Sequence, residues 1–158
     1  MVDAVDWQKL ANALRELHRT LLERARRDYE RESVVTLNPG EFLQLLTTNA
    51  DFAWLRSLSE LMIDIDLVHD AAPLHRDEIA TAVRAAVEHL ISNTRDPVNL
   101  FAQHYWPYVH DDPHVAMAHA GVKQAINAWP RPDKNDTASL LHERHRLAEK
   151  ARHLSKRN

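Results

Sequence analysis

Glycine is the residue that most constrains this chain, because only Gly40 and Gly121 occur among its 158 residues. Average usage would supply about eleven glycines in a chain of this length. Nucleotide-binding GxGxxG turns, phosphate-binding P-loops and GxSxG nucleophile elbows each need at least two glycines within a few positions. The two glycines are too far apart for any of these motifs. The sequence therefore excludes the function classes that depend on them.

Apolar residues recur at the three- and four-residue spacing of α-helices, and the only β-branched cluster, at 34–36, is too short for a sheet. We predict an all-α fold, an irregular bundle of six to seven helices with no sheet. A long first helix over about 3–32 is indicated by an apolar seam with alternating steps of three and four. This seam consists of Trp7, Leu10, Leu14, Leu17 and Leu21.

Capping residues and prolines mark the starts of the other helices, because Asn and Asp side chains accept bonds from first-turn amides and proline fits the first turn. The predicted starts of the second to sixth helices are Asn38-Pro39, Thr48 to Asp51, Pro73, Asp96-Pro97 and Asp112-Pro113. The third helix is expected to run to about Asp70 and to be central. Pro107 is expected to end or kink the fifth helix. A basic last helix over about 137–156, the most loosely attached element, completes a single domain over 1–158.

The bulk properties exclude further classes of protein. The chain has no cysteine, so it forms no disulfide and no cysteine-ligated metal site. Its formal net charge of −3 gives no general attraction to nucleic acid, and we expect no nucleic-acid partner. It has no apolar run of about eighteen residues and no apolar leader, so we expect a cytoplasmic protein with no membrane contact. On the third helix, Arg56 and Glu60 are four residues apart, which predicts a local ion pair.

Histidine is unusually abundant, with eleven copies. His18, His69 and His119 fall on the apolar faces of three predicted helices, and Asp66 lies one turn before His69. If the three helices are neighbours, these four side chains can hold a divalent metal such as Zn, Fe or Ni. The competing interpretation is that each histidine is hydrogen-bonded in the core to a backbone carbonyl or to one acid. On that interpretation the protein has no cofactor.

The dipeptide His69-Asp70 is similar to the paired residues of HD-type phosphohydrolases. That all-helical family holds a metal with a histidine, this dipeptide and a later aspartate, so the resemblance implies a metal-dependent enzyme. It covers two residues of the chain, and a second pair, His110-Asp111, falls in a predicted loop. The serines lie within or at the ends of predicted helices, with no strained turn that exposes a hydroxyl beside a base. We expect no catalytic residues.

The helical surfaces favour a protein partner. The first helix, at about 45 Å, is longer than a compact domain of about 40 Å. Its charged end, 23–32, is therefore expected to project and to contact a partner protein or a second copy of the chain, with Ala25 and Tyr29 as its apolar surface. Gly121, inside the sixth helix, is expected to allow a neighbouring helix or, as the alternative, a ligand to approach the backbone closely beside His119. The favoured function is a non-catalytic protein-interaction or adaptor domain; the alternative is a metal-binding helical protein, either an HD-like enzyme or a sensor.

Overall fold

The computed structural model describes residues 5–71, 76–94 and 97–132. These residues form six α-helices and one 3₁₀ helix and contain no strand, so the all-α prediction is confirmed. The helices are α1 (Trp7–Ser33), α2 (Pro39–Thr48), the 3₁₀ helix (Ala50–Leu55), α3 (Arg56–Ala71), α4 (Arg76–Leu90), α5 (Leu100–Asp111) and α6 (Pro113–Ile126). The predicted last helix at 137–156 lies outside the described residues. None of the described helices combines the length and apolar character needed to cross a membrane.

The apolar seam of α1 is buried as predicted. The helix begins after Asp6, whose side chain accepts a hydrogen bond from the Lys9 amide at 2.9 Å. The four leucines of the seam are at most 1% exposed, whereas Trp7 is half-buried. At its other end α1 stops at Val34, which adopts a left-handed conformation with a φ of 54°. That conformation costs a residue other than glycine about 1–2 kcal/mol.

The charged end of α1 does not project alone, contrary to the prediction. Ala25 is buried, and the ring of Tyr29 lies 5.6 Å from that of Phe52. The backbone amide of Leu37 donates to the Glu30 carboxylate at 2.8 Å, which holds the connection to α2 back against α1. The prediction failed because the length of a helix says nothing about the loop that returns over it.

The predicted start of α2 is confirmed. Asn38 accepts from the Glu41 amide at 2.8 Å, and the Glu41 carboxylate accepts from the Asn38 amide at 3.4 Å, which is a capping box with Pro39 in the first turn. The predicted start of the third helix is wrong, because Ala50–Leu55 forms a 3₁₀ helix capped by Asn49 and α3 begins at Arg56. The tighter turn buries Phe52, Trp54 and Leu55 together.

Of the later helices, the predicted start of α6 is confirmed and the predicted start of α5 is wrong. Asp112 caps α6 and Pro113 occupies its first turn, as predicted. Helix α5 begins instead after Asn99, whose side chain accepts from the Ala102 amide at 3.0 Å, and it continues through Pro107 to Asp111. The predicted fourth start, Pro73, lies outside the described residues.

The core is one cluster of buried apolar side chains drawn from α1, the 3₁₀ helix and α3 to α6. Helix α1 packs most extensively on α6 and also contacts α3, and α3 in turn contacts α4 and the 3₁₀ helix. The two helices α1 and α6 are antiparallel, because Arg24 pairs with Asp112 before α6 while Trp7 meets Trp129 after it. The most completely buried helix is α4, in which every residue from Ala82 to Val87 is buried.

Candidate functional site

His18 lies on the wall of a cleft formed by α1, α2, the 3₁₀ helix and α3. Its Nε2 atom is 3.1 Å from the Oγ atom of Ser59 on α3. Burial lowers the pKa of His18 below its usual value of 6.5, because a half-buried imidazolium loses part of its hydration. His18 is therefore neutral at pH 7, and its side-chain hydrogen-bond partner is a hydroxyl.

His69 and Asp66 lie elsewhere on α3. The His69 ring stacks on Trp7 with a centroid distance of 4.7 Å. His69 is exposed, so the prediction that it faces the core is wrong. Asp66 is exposed as well. Trp7 and His18 are eleven residues apart on α1, which corresponds to about 16 Å along the helix axis. His18 and His69 are therefore too far apart to bind the same ion.

His119 packs against α5. Its Nδ1 atom is 2.6 Å from the hydroxyl oxygen of Tyr105, and its ring meets the ring of Trp106 edge to face at 5.1 Å. Burial lowers the pKa of His119, and the positive charge of Lys123 lowers it further. Burial also raises the pKa of Tyr105. His119 and Tyr105 therefore form a hydrogen bond within an aromatic cluster.

Of the four proposed metal ligands, the structure thus places His18, His69 and His119 in separate surroundings, and Asp66 lies one turn before His69 on α3. Within residues 5–71, 76–94 and 97–132, no three histidine or carboxylate side chains are grouped so that they can hold a metal ion. The side chain of Asp70, the second residue of the HD-like dipeptide, lies outside the described residues. The metal-binding alternative stays a prediction.

The lowered pKa values of His18 and His119 predict that the fold is less stable in acid. In the unfolded chain both imidazoles regain their ordinary pKa, so below about pH 6.5 the unfolded state binds more protons than the folded state. We expect the urea midpoint of unfolding to fall as the pH is lowered from about 7 to about 5. The decrease should be smaller in a His18→Gln, His119→Gln double variant.

A matched control for this experiment is His89→Gln, because His89 is exposed on α4. This variant should keep the pH dependence of the wild type. An equal change of the urea midpoint in the wild type and the double variant would contradict the prediction.

The cleft that contains His18 has a volume of about 500 Å³ and an apolar lining. We call it the α2 cleft. Its apolar side chains are Leu22, Leu43, Leu46, Phe52 and Leu55, and its polar ones are His18, Thr47, Arg56 and Ser59. The volume falls within the range of about 300–1,000 Å³ that is typical of binding pockets.

Helix α2 forms the outer wall of the α2 cleft. It carries four large apolar residues within five positions, yet none of its residues is buried. Phe42, Leu45 and Leu46 share one face and are half-buried, whereas Leu43 lies outside that face and is 64% exposed. The apolar surface of α2 is therefore wider than the part that packs on the 3₁₀ helix. This surface continues from the cleft onto the outside of the molecule.

Arg56 is the cation of the α2 cleft. Its guanidinium donates to the carbonyl of Thr47 at 3.0 Å, at the end of α2. In the described part of the chain it pairs with no carboxylate, so the predicted ion pair with Glu60 is wrong. Its positive charge is thus available to an acidic group that approaches the cleft.

Ser59 and His18 are close enough for proton transfer, which a nucleophile and its base require. Acyl transfer also needs donors for an oxyanion and a group that orients the base. Ser59 lies in an uninterrupted helical stretch, because the 3₁₀ helix leads directly into α3, and its Oγ atom is also 3.4 Å from the Leu55 carbonyl. Among the described residues no carboxylate orients His18. The contact fits a polar link between α1 and α3 better than a catalytic pair.

A second open groove, of about 510 Å³, lies between α1 and α6. We call it the α1–α6 groove. Its lining is Ala13, Glu16, Arg19, Thr20, Glu23 and Arg27 from α1, and His114, Met117, Ala118 and Gly121 from α6. A Cβ atom on Gly121 would meet nothing within 4 Å, so the predicted close approach of a neighbouring helix is wrong for the described part of the chain. Gly121 faces open space instead.

Comparisons of the chain with models of protein families, with curated protein sequences and with solved structures find no significant match. Its function therefore has to be inferred from the geometry of its surface.

The sequence contains a signal for the α2 cleft that histidine placement does not reveal. Four large apolar residues among five positions of a ten-residue helix span a wider arc than a single packing contact needs. Leu43 is the residue that widens this arc. A search for surplus apolar surface on short helices would have found the site.

Proposed function

We propose that this protein is a non-catalytic protein-interaction domain whose α2 cleft binds an apolar segment of a partner protein. The observation that carries the proposal is that none of the four large apolar side chains of α2 is fully buried and that Leu43, which lines the cleft, is 64% exposed. Contiguous exposed apolar surface beside a groove is typical of interaction sites. The same surface supports an adaptor role, because binding a segment of a partner protein requires no catalytic residues.

The shape and charge of the site favour a particular kind of segment. Apolar side chains on both walls of the cleft match the mode in which an amphipathic helix places one face in a groove. Arg56, which lacks a carboxylate partner in the described part of the chain, suits an acidic side chain at the edge of that helix. The expected ligand is therefore a segment with leucine or phenylalanine at spacings of three and four and one Asp or Glu.

Selection of peptides from a random displayed library against the purified protein tests this proposal. We expect the selected peptides to carry the apolar spacing and an acidic residue. Their affinity should fall at least about tenfold for Leu43→Asp, because a carboxylate placed in an apolar contact loses its hydration. The Arg56→Gln variant should bind them more weakly, and an acid-to-amide change in the peptide should abolish that difference.

Ile63→Asp is the matched control, because Ile63 is also exposed, at 52%, and does not line the cleft. Both Leu43→Asp and Ile63→Asp should leave the free energy of unfolding within about 0.5 kcal/mol of the wild type, since neither side chain is buried. Peptides that bind Leu43→Asp as tightly as the wild type would show that the α2 cleft is not the binding site. A selection that yields no peptide would also overturn the proposal.

A further inference from the structure

The charged residues of α1 along the α1–α6 groove alternate in sign. Glu16, Arg19, Glu23 and Arg27 all line the groove at spacings of three and four, so they form one stripe along the helix. Within the chain Arg19 forms ion pairs with Glu16 and Glu23, and all three side chains are more than 50% exposed. Because these pairs are solvated, they can exchange partners at little cost in free energy. Arg27 lies 4.0 Å from the buried Asp112 carboxylate, but its own side chain is 63% exposed. The stripe is therefore available to a charged surface of matching pattern.

The stripe of a second copy, in antiparallel orientation, has this matching pattern of charges. If a second α1 lies antiparallel over the first, with the two-fold axis midway between Arg19 and Glu23, Glu16 faces Arg27 of the second copy and Arg19 faces its Glu23. Every acid then meets a base. A parallel arrangement would instead place like charges opposite each other, which opposes association. We propose that the α1–α6 groove is the interface of an antiparallel homodimer of this chain.

The apolar residues of the groove agree with this axis. Helix α6 runs back along α1 from the Arg24–Asp112 ion pair, so Met117, five residues after Asp112, lies level with the middle of the stripe. Met117 is 73% exposed. In the antiparallel arrangement the two Met117 side chains meet near the two-fold axis and cover each other. An apolar centre with a charged rim is the usual anatomy of an interface.

Gly121 explains how the outer pairs can form. It lies nine residues after Asp112 and therefore close to Glu16 across the groove, and no atom of the described residues lies within 4 Å of the position its Cβ would take. Ala13 is the other small residue at this end of the groove. Together they leave room for the long side chain of Arg27 of the second copy to reach Glu16.

The size of the interface sets its strength. The stripe from Ala13 to Arg27 extends about 21 Å along α1. Helices α1 and α6 lie about 9 Å apart and are together about 18 Å wide, so the footprint is on the order of 400 Å² per copy. Interfaces of that size belong to the small, transient class. The dimer is therefore weak and reversible, and its dissociation constant lies in the micromolar range or above.

Charge reversal tests the proposal through sedimentation of the full chain over a range from low micromolar to several hundred micromolar. The wild type should shift from the monomer mass toward twice that mass as the concentration rises, and less so at high salt. Glu16→Arg and Arg27→Glu should each weaken dimerisation by about tenfold or more, because each places like charges opposite at two symmetric positions.

Mixing the two variants separates this arrangement from any other. In a heterodimer of Glu16→Arg with Arg27→Glu, both symmetric contacts again join opposite charges, so an equimolar mixture should dimerise more tightly than either variant alone. The double variant should also recover the wild-type affinity. Glu60→Arg, which makes the same change of charge on α3, should leave dimerisation unaltered. A wild type that stays monomeric, or a mixture that fails to dimerise, would overturn the proposal.

The homodimer does not depend on the α2 cleft, because the two surfaces share no lining residue. The Leu43→Asp variant should dimerise like the wild type. Failure of either proposal therefore leaves the other intact.

Discussion

Replacing Arg84 by methionine is expected to lower the free energy of unfolding by about 3 kcal/mol. Arg84 lies in α4 and is 5% exposed, which is unusual for a cation. Its Nη1 atom donates to the backbone carbonyls of Asn127, at 3.2 Å, and Trp129, and its Nε atom donates to the Glu88 carboxylate at 2.8 Å. Methionine keeps the apolar stem but supplies no donor.

The loss is large because of what the guanidinium satisfies. The carbonyls of Asn127 and Trp129 follow the end of α6, where the helix dipole is negative and no further turn supplies amide donors. Without Arg84 the buried carbonyl of Trp129 and the partly buried carbonyl of Asn127 lose a charged hydrogen-bond donor, and such bonds contribute about 1.5–3 kcal/mol each in comparable settings. Trp129 also packs against Trp7, with ring centroids 4.9 Å apart, so its fluorescence should change along with the stability.

Urea unfolding measured by circular dichroism checks this prediction, with Glu88→Gln as the control. The side chain of Glu88 is 45% exposed but that of its partner Arg84 is only 6% exposed, so removing the Glu88 charge should cost more than breaking a solvated pair and less than removing Arg84. Arg84→Lys should be intermediate, because one ammonium cannot reproduce the planar set of donors. An Arg84→Met variant within about 1 kcal/mol of the wild type would show that water replaces the guanidinium at both carbonyls.

The residues that define single helices were predictable because the signals for them are local. The leucine seam of α1, the capping box at Asn38 and the start of α6 at Asp112 each depend on contacts within a few positions of the chain. The 3₁₀ helix at Ala50–Leu55 was missed because its capping pattern resembles that of an α-helix. What decides between the two there is the joint burial of its aromatic side chains, which is tertiary.

The candidate site was less predictable. The angular position of a residue around its helix shows which face it lies on, but not which residue of another helix it contacts. His18 and His119 are half-buried as expected, but their partners, Ser59 and Tyr105, follow from how helices pack. For the same reason, the burial and the hydrogen bonds of Arg84 could not be predicted from the sequence. Arg84 shares the polar face of α4 with Thr81 and Glu88, and that position predicts an exposed side chain. Only the packed fold shows that Arg84 is buried and donates hydrogen bonds to carbonyls of a distant turn.

Replacing Arg24 by methionine is the second change with a large expected effect, a loss of about 2–3 kcal/mol at neutral pH. The guanidinium of Arg24 donates to Asp28 at 3.0 Å, to Asp111 at 2.9 Å and to Asp112 at 3.2 Å, and it lies 5.3 Å from the ring centre of Tyr108. It thereby joins α1 to the corner between α5 and α6. Without it, three carboxylates of like charge remain close together.

Asp112 dominates this loss because its side chain is only 6% exposed. Burial alone would raise the pKa of Asp112, but the His114 amide and Arg24 donate to its carboxylate and bring the pKa below the usual 3.8. A lowered pKa stabilises the fold at pH values above about 4, and this stabilisation is lost as the pH falls through the folded-state value. Removing Arg24 raises that pKa. The difference between the wild type and Arg24→Met should therefore shrink as the pH is lowered below about 4.

Arg19→Met is the matched control, because Arg19 also pairs with two carboxylates but does so on the exposed side of α1. It should leave the stability unchanged within experimental error, since solvated pairs contribute little. Urea titrations of both variants at neutral and acidic pH separate the explanations. Equal losses for Arg24→Met and Arg19→Met would mean that burial of Asp112 does not strengthen the pair. A deficit of Arg24→Met that is independent of pH would attribute it to lost packing on Tyr108 instead of lost charge.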